Sequence, residues 1–536
     1  MSVMLITTVV VIYLLITAFL GYLGYKHTKS TADYLVAGRK THPLIMAISY
    51  GATFISTSAI VGFGGAAAVF GMGLLWLTVL NIFVGIFIAF AFFGKRTRKM
   101  GHNLDAHTFP ELLGKRFNSK LLQAVAGLLI FVAMPIYAGS VMIGAAQFIC
   151  QTLGIDYQIG VLFFTAIVAI YVMMGGLKGV MYTDAFQGSI MFIGMAILLV
   201  ATYNMLGGMV NAHHQLAALS QEAVKVFGKG GHLGWTQMPA FKSVMWLQLV
   251  TTIVMGVGIG VLAQPQLIVR FMTVKSNREI HRGIAAGGVF ILMMTGVAFT
   301  VGALSNVFFF NNPVTAGKIA IVAAGKNVDN IIPLFINMAM PPWFTAVFMI
   351  TLIAAAMSTL SSQFHTMGTA AGRDFYEQGL GQKSGSSIYV TRMAMAVGIL
   401  LSLFVALFMP KFLEMGSAII AIGTALFFGL CAAAFLPMYF GALYTKSITR
   451  AGALSGFFSG ALASFLWMAF VHSKESVPLG LCQMVFKVNT LAGATKWAYV
   501  DPLIIGLPVS IIVTIAVSLM TKPPSEEHLK KCFDGI

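Results

Sequence analysis

The sequence predicts an all-α, polytopic membrane protein with about thirteen membrane-spanning helices. Three observations predict it. Of 536 residues, 58% are hydrophobic and only 9% are charged, with a mean hydropathy of +0.89. Apolar runs of roughly 18 residues or more recur along the whole chain, each long enough to cross the hydrocarbon core as a helix. The charged residues lie in the short stretches between those runs. A soluble globular domain has neither this composition nor these runs. The net charge of +17 would suggest nucleic acid in a soluble chain. Here the basic residues mark loops on one side of a bilayer, so no nucleic-acid partner is expected.

Taken in order, the expected spans are 3–25, 43–70, 73–94, 121–150, 157–176, 184–206, 243–266, 283–309, 344–371, 391–409, 416–443, 451–471 and 501–521. The first lacks a basic n-region and a small-residue cleavage site, so it reads as a retained helix and not a signal peptide. Lys and Arg orient the set. Of 33, 24 fall on one side, including those of 26–40, 95–120, 270–282 and the tail 522–536; Lys225, Lys229, Lys242, Lys318, Lys326, Lys411, Lys474, Lys487 and Lys496 fall on the other. The rule that basic loops stay inside puts the N-terminus outside and the C-terminus in the cytoplasm. The short, charged tail carries no expected soluble domain. Cys150, Cys431, Cys482 and Cys532 have no metal spacing, although Cys150 and Cys482 share the outer side, where a disulfide is conceivable.

All 16 acids are assigned to loops or span ends. A proton relay keeps carboxylates or histidines within the membrane. Here only His365 lies in a span, and its expected role is that of an interfacial side chain with a backbone partner. Neutral oxygens dominate instead. AAAMSTLSSQFHT (354–366) sets Ser358 and Ser362 on one helix face with Thr359 beside them and Ser361 turned away. Such oxygens suit a small, hard cation. The alternative is that each hydroxyl bonds back to a carbonyl one turn earlier.

Two spans look interrupted. The second holds Gly51, Gly62, Gly64, Gly65 and Gly71; the seventh holds Gly256, Gly258, Gly260 and Gln264-Pro265. Each opens a set of five spans, and the two sets enter the membrane from opposite sides. A five-plus-five inverted repeat, 43–206 and 243–443 within one membrane domain 1–536, with a discontinuous first helix in each half, is a transporter signature. Depth agrees. Residues 52–55 lie about 9–12 residues from the basic side and 355–359 about 13–17, so at ~1.5 Å per residue they sit within several ångströms of one level.

The motifs DYLVAGR (33–39), SYGATFISTSAIVGFGGAA (49–67), GGLKGVMYTDAFQG (175–188), AQPQLIVRFM (263–272) and AAAMSTLSSQ (354–363) together resemble the sodium/solute symporter family over most of the chain. The resemblance implies the leucine-transporter fold and sodium-driven uptake by alternating access. It also implies a sodium site from backbone oxygens of Ala52, Ile55 and Ala355 and side-chain oxygens of Ser358 and Thr359, with Asp184 on the sodium exit path. Phe54 stands where proline carriers have an aspartate, and Val257 and Val261 where they have aromatics. Ala59 and an acid-free third span disfavour sugars. HRGI (281–284) and its surroundings look more like pantothenate and monocarboxylate carriers.

The reading is sodium symport of a small organic solute, a monocarboxylate or pantothenate-like acid, with proline or another amino acid as the alternative and a non-transporting membrane sensor as the different class. An anion suits a site without buried acids and with helix amide ends exposed at a break. The expected substrate cavity comprises Ser56, Gly62, Gly64, Gly258 and Gln264. No catalytic constellation appears within the spans, so no enzyme is expected, and no cofactor beyond Na+ as coupling ion. Sodium, the organic solute and the lipid bilayer of the plasma (inner) membrane are the expected partners of a monomeric carrier.

Overall fold

The computed structural model describes residues 3–381, 387–412 and 419–536; Lys383 and the expected start of the eleventh span, 416–418, lie outside them. Among the described residues the chain is helical with no strand, only a single bridge between Thr41 and Val274. Among the described residues, eleven helical stretches are long and apolar enough to cross a membrane. The difference from thirteen has a physical cause in the breaks. The expected second span is split, and its outer part runs into the third as one stretch, Ser58–Asn103, bent at Gly71 (φ 75°). The expected fifth and sixth meet without a loop, separated only by Gly176 (φ 57°, ψ −176°).

The helices used below are α1 (Val3–Lys26), α2 (Pro43–Phe54), α3 (58–70), α4 (75–103), α5 (Phe109–Arg116), α6 (Lys120–Leu153) and α7 (157–175). After them come α8 (177–205), α9 (244–263), α10 (Pro265–Phe271), α11 (Asn277–Asn311), α12 (Ile331–Ala339) and α13 (Pro342–Thr369, continuing to 379). The last are α14 (Ser387–Phe412), α15 (Ile419–Tyr444), α16 (Arg450–Phe470), α17 (Leu503–Met520) and α18 (Glu526–Phe533). Burial separates centre from rim. The apolar windows of α13 and α15 are 89% and 83% buried, whereas that of α1 is 22% and that of α17 is 28%. The helix carrying the hydroxyl run is therefore the axis of the molecule.

Both expected breaks are present, from different causes. At the second, Gln264 is extended (φ −77°, ψ 114°) and Pro265 opens α10. A residue before proline is pushed out of the helical region, and proline tolerates the first helical position because its missing N–H would be unpaired there. Gln264 Nε2 donates to the Gly260 carbonyl that the break frees. At the first, no glycine sits at the interruption. Ile55 is extended (φ −92°, ψ 103°), and the Ser56 hydroxyl accepts the Ser58 N–H at 3.1 Å. Ser56 thus restarts the chain as an N-cap for α3.

Small residues bring other helices together. A Cβ on Gly24 of α1 would lie 2.3 Å from Gly179 Cα on α8. Gly452, Gly456 and Gly460 of α16 face Ser518, Thr514 and Ser510 of α17 at successive turns, the small-residue packing of membrane helices. The tail is docked on the basic face. Asn103 Nδ2 donates to the Asp534 carbonyl, and the Phe533 ring lies 5.1 Å from the Arg116 guanidinium.

That face also holds an ion network between α5 and the end of α13. Glu111 pairs with Arg373 at 3.0 Å and Lys115 at 2.9 Å. Burial pushes the Glu111 carboxyl up, but these cations hold it below its usual range. All four cysteines are free.

Candidate functional site

Helix α2 ends in the protein interior, so its last carbonyls have no intrahelical partner. The Gly51 carbonyl is taken by the Ile55 N–H. Those of Ala52 and Thr53 are met by side chains of α13. Ser358 Oγ lies 2.9 Å from the Ala52 oxygen and 3.2 Å from the Ala355 oxygen. Thr359 Oγ1 lies 3.0 Å from the Thr53 oxygen and 3.5 Å from that of Ala52. All these residues are buried. Oxygens that share one hard cation at roughly 2.3–2.6 Å stand roughly 3–4 Å apart, the separation seen here. The negative end of the α2 dipole points at the same spot. The structure brings Ala52, Ala355, Ser358 and Thr359 together and adds the Thr53 carbonyl. Ile55 is the extended residue of the break beside them, and its N–H is committed to Gly51.

Back-bonding is present as well, at Ser358 itself through the Ala355 carbonyl and one turn further along α13. Ser361 and Ser362 both donate to the Ser358 carbonyl. Contrary to expectation, Ser361 does not turn away; its hydroxyl also reaches Asp184 Oδ1 at 3.4 Å.

One turn toward the basic face lies a group the sequence reading did not anticipate. Asp184 and Arg270 form a fully buried ion pair at 2.8 Å. Asp184 Oδ2 also accepts from Ser49 Oγ at 2.8 Å and Thr53 Oγ1 at 3.2 Å. Arg270 donates to Ser49, Thr53, Ser362 and the Gln266 carbonyl. Two expectations are corrected. Asp184 is not at the margin of its span but inside the stretch Gly176–Met205, so buried acid is present. Arg270 is not a loop cation, because the short helix α10 carries it back into the interior. Its signal in the sequence was the Pro265 break, after which the chain has seven more helical residues to re-enter the protein. The pair lies between the oxygen cluster and the basic face.

His365 departs from expectation too. It is buried, neither ring nitrogen has a hydrogen-bond partner among the described residues, and it packs on Tyr34 at 5.3 Å. It borders a small cavity on the basic side of Arg270 with His107, Thr108, Thr366 and Thr369.

On the other side of the break a central cavity is lined by Phe54, Ile55, Ser56, Ala59, Phe63, Leu77, Asn81, Tyr137, Val257, Thr295, Phe299, Thr424 and Phe428. Ser56 is on its wall. Gly62, Gly64 and Gly258 are not; they are packing surfaces against Ile420, Ile332 and Leu80. Gln264 belongs to the second break, holding Gly260 and accepting from Gln266. The cavity bears no charged side chain. Its polar groups are hydroxyls and Asn81, whose Oδ1 has no partner among the described residues. Phe54, Tyr137 and Phe428 form an aromatic wall, with Phe428 6.2 Å from Phe54 and 5.3 Å from Tyr137. Asn81 and Tyr137 were missed because each is one polar group in a long apolar run.

The profile of the sodium:solute symporter family matches residues 34–460. Sodium/proline symporters of Staphylococcus aureus strains JH9 and NCTC 8325 are each 28% identical over 549 residues, covering 98% of this chain and 95% of theirs. A solved structure of a Na+-coupled sialic acid symporter, substrate-bound and outward-open, aligns with a TM-score of 0.73 at 18% identity, covering 97% of this chain and 98% of that one. That likeness concerns the fold, the leucine-transporter architecture that the family resemblance implied.

Proposed function

This chain belongs to the sodium:solute symporter family, and from that premise we propose how it couples sodium to its solute. It is a multi-pass membrane transporter and not an enzyme. The coupling ion binds where the carbonyls of Ala52, Ile55 and Ala355 meet the hydroxyls of Ser358 and Thr359. The observation that carries this reading is the approach of the Ser358 and Thr359 hydroxyls to the orphan carbonyls ending α2. A cation bound there ties α2 to α13 and orders the break. Ile55 and Ser56 of that break form the wall of the central cavity, so ion and solute each favour the arrangement that the other needs. Ion release runs toward Asp184 and the basic face, which is the cytoplasmic one.

The solute is a small organic acid of the monocarboxylate or pantothenate kind. Its carboxylate faces the start of α3, where amides at a helix N-terminus favour an anion, and its apolar body lies against Phe54, Tyr137 and Phe428. A second reading, proline, is favoured by the names of the Staphylococcus relatives, and the aromatic wall also suits a pyrrolidine ring. Uptake of labelled pantothenate, pyruvate and proline into proteoliposomes under an imposed sodium gradient tests both readings. Sodium-dependent uptake of the acids supports the first, and of proline alone the second. Uptake that follows a proton gradient without sodium rejects the coupling.

A further inference from the structure

Directly beyond the central cavity, away from the basic face, is a second cavity whose lining includes Ala66, Val69, Phe70, Ile253, Ala421 and Lys474. Three helices relate the two. On α3 the lining moves outward from Phe63 to Ala66 and Phe70, on α9 from Val257 to Ile253, and on α15 from Thr424 to Ala421. These are steps of about one helical turn, ~5 Å, with Phe70 a second turn further out, and all three point the same way. The second cavity is therefore an antechamber stacked on the first.

Its one charged lining group comes from elsewhere. Lys474 belongs to the segment joining α16 to α17, beyond the residues that the family profile matches. Two carboxylates, Glu475 and Asp501, lie close enough to act on its charge, and each also has another partner. Glu475 pairs with His472, and Asp501 Oδ1 accepts the Leu503 N–H at 2.9 Å, while the Asp501 N–H donates to Thr251 Oγ1 on α9. Among the described residues Lys474 makes no ion pair. Of these three groups only the ammonium lines the cavity, so it is the charge that an anion entering the cavity meets first.

We propose that Lys474 makes this antechamber an outer subsite that captures the carboxylate of the incoming solute before it enters the central cavity. The proposal rests on the organic-acid reading above, though a zwitterion such as proline carries the same group. The capture step adds charge attraction on the approach and none at the central site, so it acts on KM and leaves the maximal rate alone.

The test separates the subsite from the identity of the solute. A reporter cysteine, Val69→Cys, is placed on the antechamber wall of the full-length protein in proteoliposomes, with the parent protein as labelling blank. Its reaction rates with an anionic and a cationic methanethiosulfonate of similar size give the local potential. The anionic-to-cationic ratio is expected to fall at least threefold in Lys474→Gln and to hold in Lys474→Arg. For whichever carboxylate the protein transports, Lys474→Gln is expected to raise KM three- to tenfold with the maximal rate within twofold, and Lys474→Arg to restore it. An unchanged ratio, or a reporter thiol that neither reagent reaches, overturns the subsite. A changed ratio with unchanged KM overturns its role in capture. A changed ratio in a protein that transports none of pantothenate, pyruvate or proline upholds the charged antechamber and rejects the solute reading instead.

Discussion

At the scale of single residues, the oxygen cluster and the ion pair below it make separable predictions. Replacing Ser358 or Thr359 by Ala removes one ligand of the proposed cation site and leaves a buried carbonyl unmet, at ~1–3 kcal/mol. Since ~1.4 kcal/mol is a tenfold change in affinity, apparent sodium affinity should fall roughly 5- to 100-fold, and saturating sodium should return most of the solute affinity. Thr351→Ala is the control, since its hydroxyl only bonds back to Val347; sodium titrations indistinguishable from this control would remove the ion from the cluster. Arg270→Gln should destabilise the protein by about 3–5 kcal/mol, because it strands the Asp184 carboxylate in a dry interior. Asp184→Asn combined with Arg270→Gln should recover much of that, as read by thermal unfolding in detergent. Equal melting of single and double variants would show that the pair is not worth what its burial implies. The cluster was legible in the sequence because Ala52 and Ser358 could be placed at one depth by counting from the basic side. Arg270 was not, because hydropathy treats a cation after a helix-breaking proline as loop, and only the course of α10 shows it turning inward.

At the scale of elements, the two breaks differ in how openly the sequence declares them. Pro265 announces the second through steric restriction of Gln264. The first was inferred from glycines that serve packing instead; the interruption is made by Ser56 acting as an N-cap inside an apolar run, and an apolar run gives no reason to read a serine as a terminus. The α16–α17 hairpin yields an element-scale prediction. A Cβ on Gly456 would lie 1.8 Å from Thr514 Oγ1, so Gly456→Leu must part the two helices, at about 1–3 kcal/mol for overpacking. The melting temperature should drop, whereas Phe458→Leu, on the exposed side of the same helix, should leave it unchanged. A Gly456→Leu protein as stable as the parent would mean that the stripe is not a tight interface.

At the scale of the whole molecule, composition and the recurrent apolar runs were enough for the class, and the motifs shared with the symporter family for the architecture. The count of continuous helices was not, because Gly176 and Gly71 join expected spans without intervening polar loops, and hydropathy detects loops and not bends. The excess of Lys and Arg on the face bearing α5 and α18 predicts that this face is cytoplasmic. A cysteine at exposed Lys120 should react with an impermeant maleimide only after the cells are permeabilised. Labelling in intact cells would invert the molecule.

The Asp184–Arg270 pair carries an electrical consequence. Because the buried carboxylate has its own guanidinium, that level of the empty carrier contributes no net charge to the field across the bilayer. The membrane potential then acts on the cargo. One Na+ moving with a monocarboxylate is neutral, and voltage does no work on it. One Na+ moving with zwitterionic proline transfers a full charge, driven by about 2.3 kcal/mol per 100 mV. At that stoichiometry, uptake of the acid passes silently under voltage clamp, and uptake of proline draws an inward current.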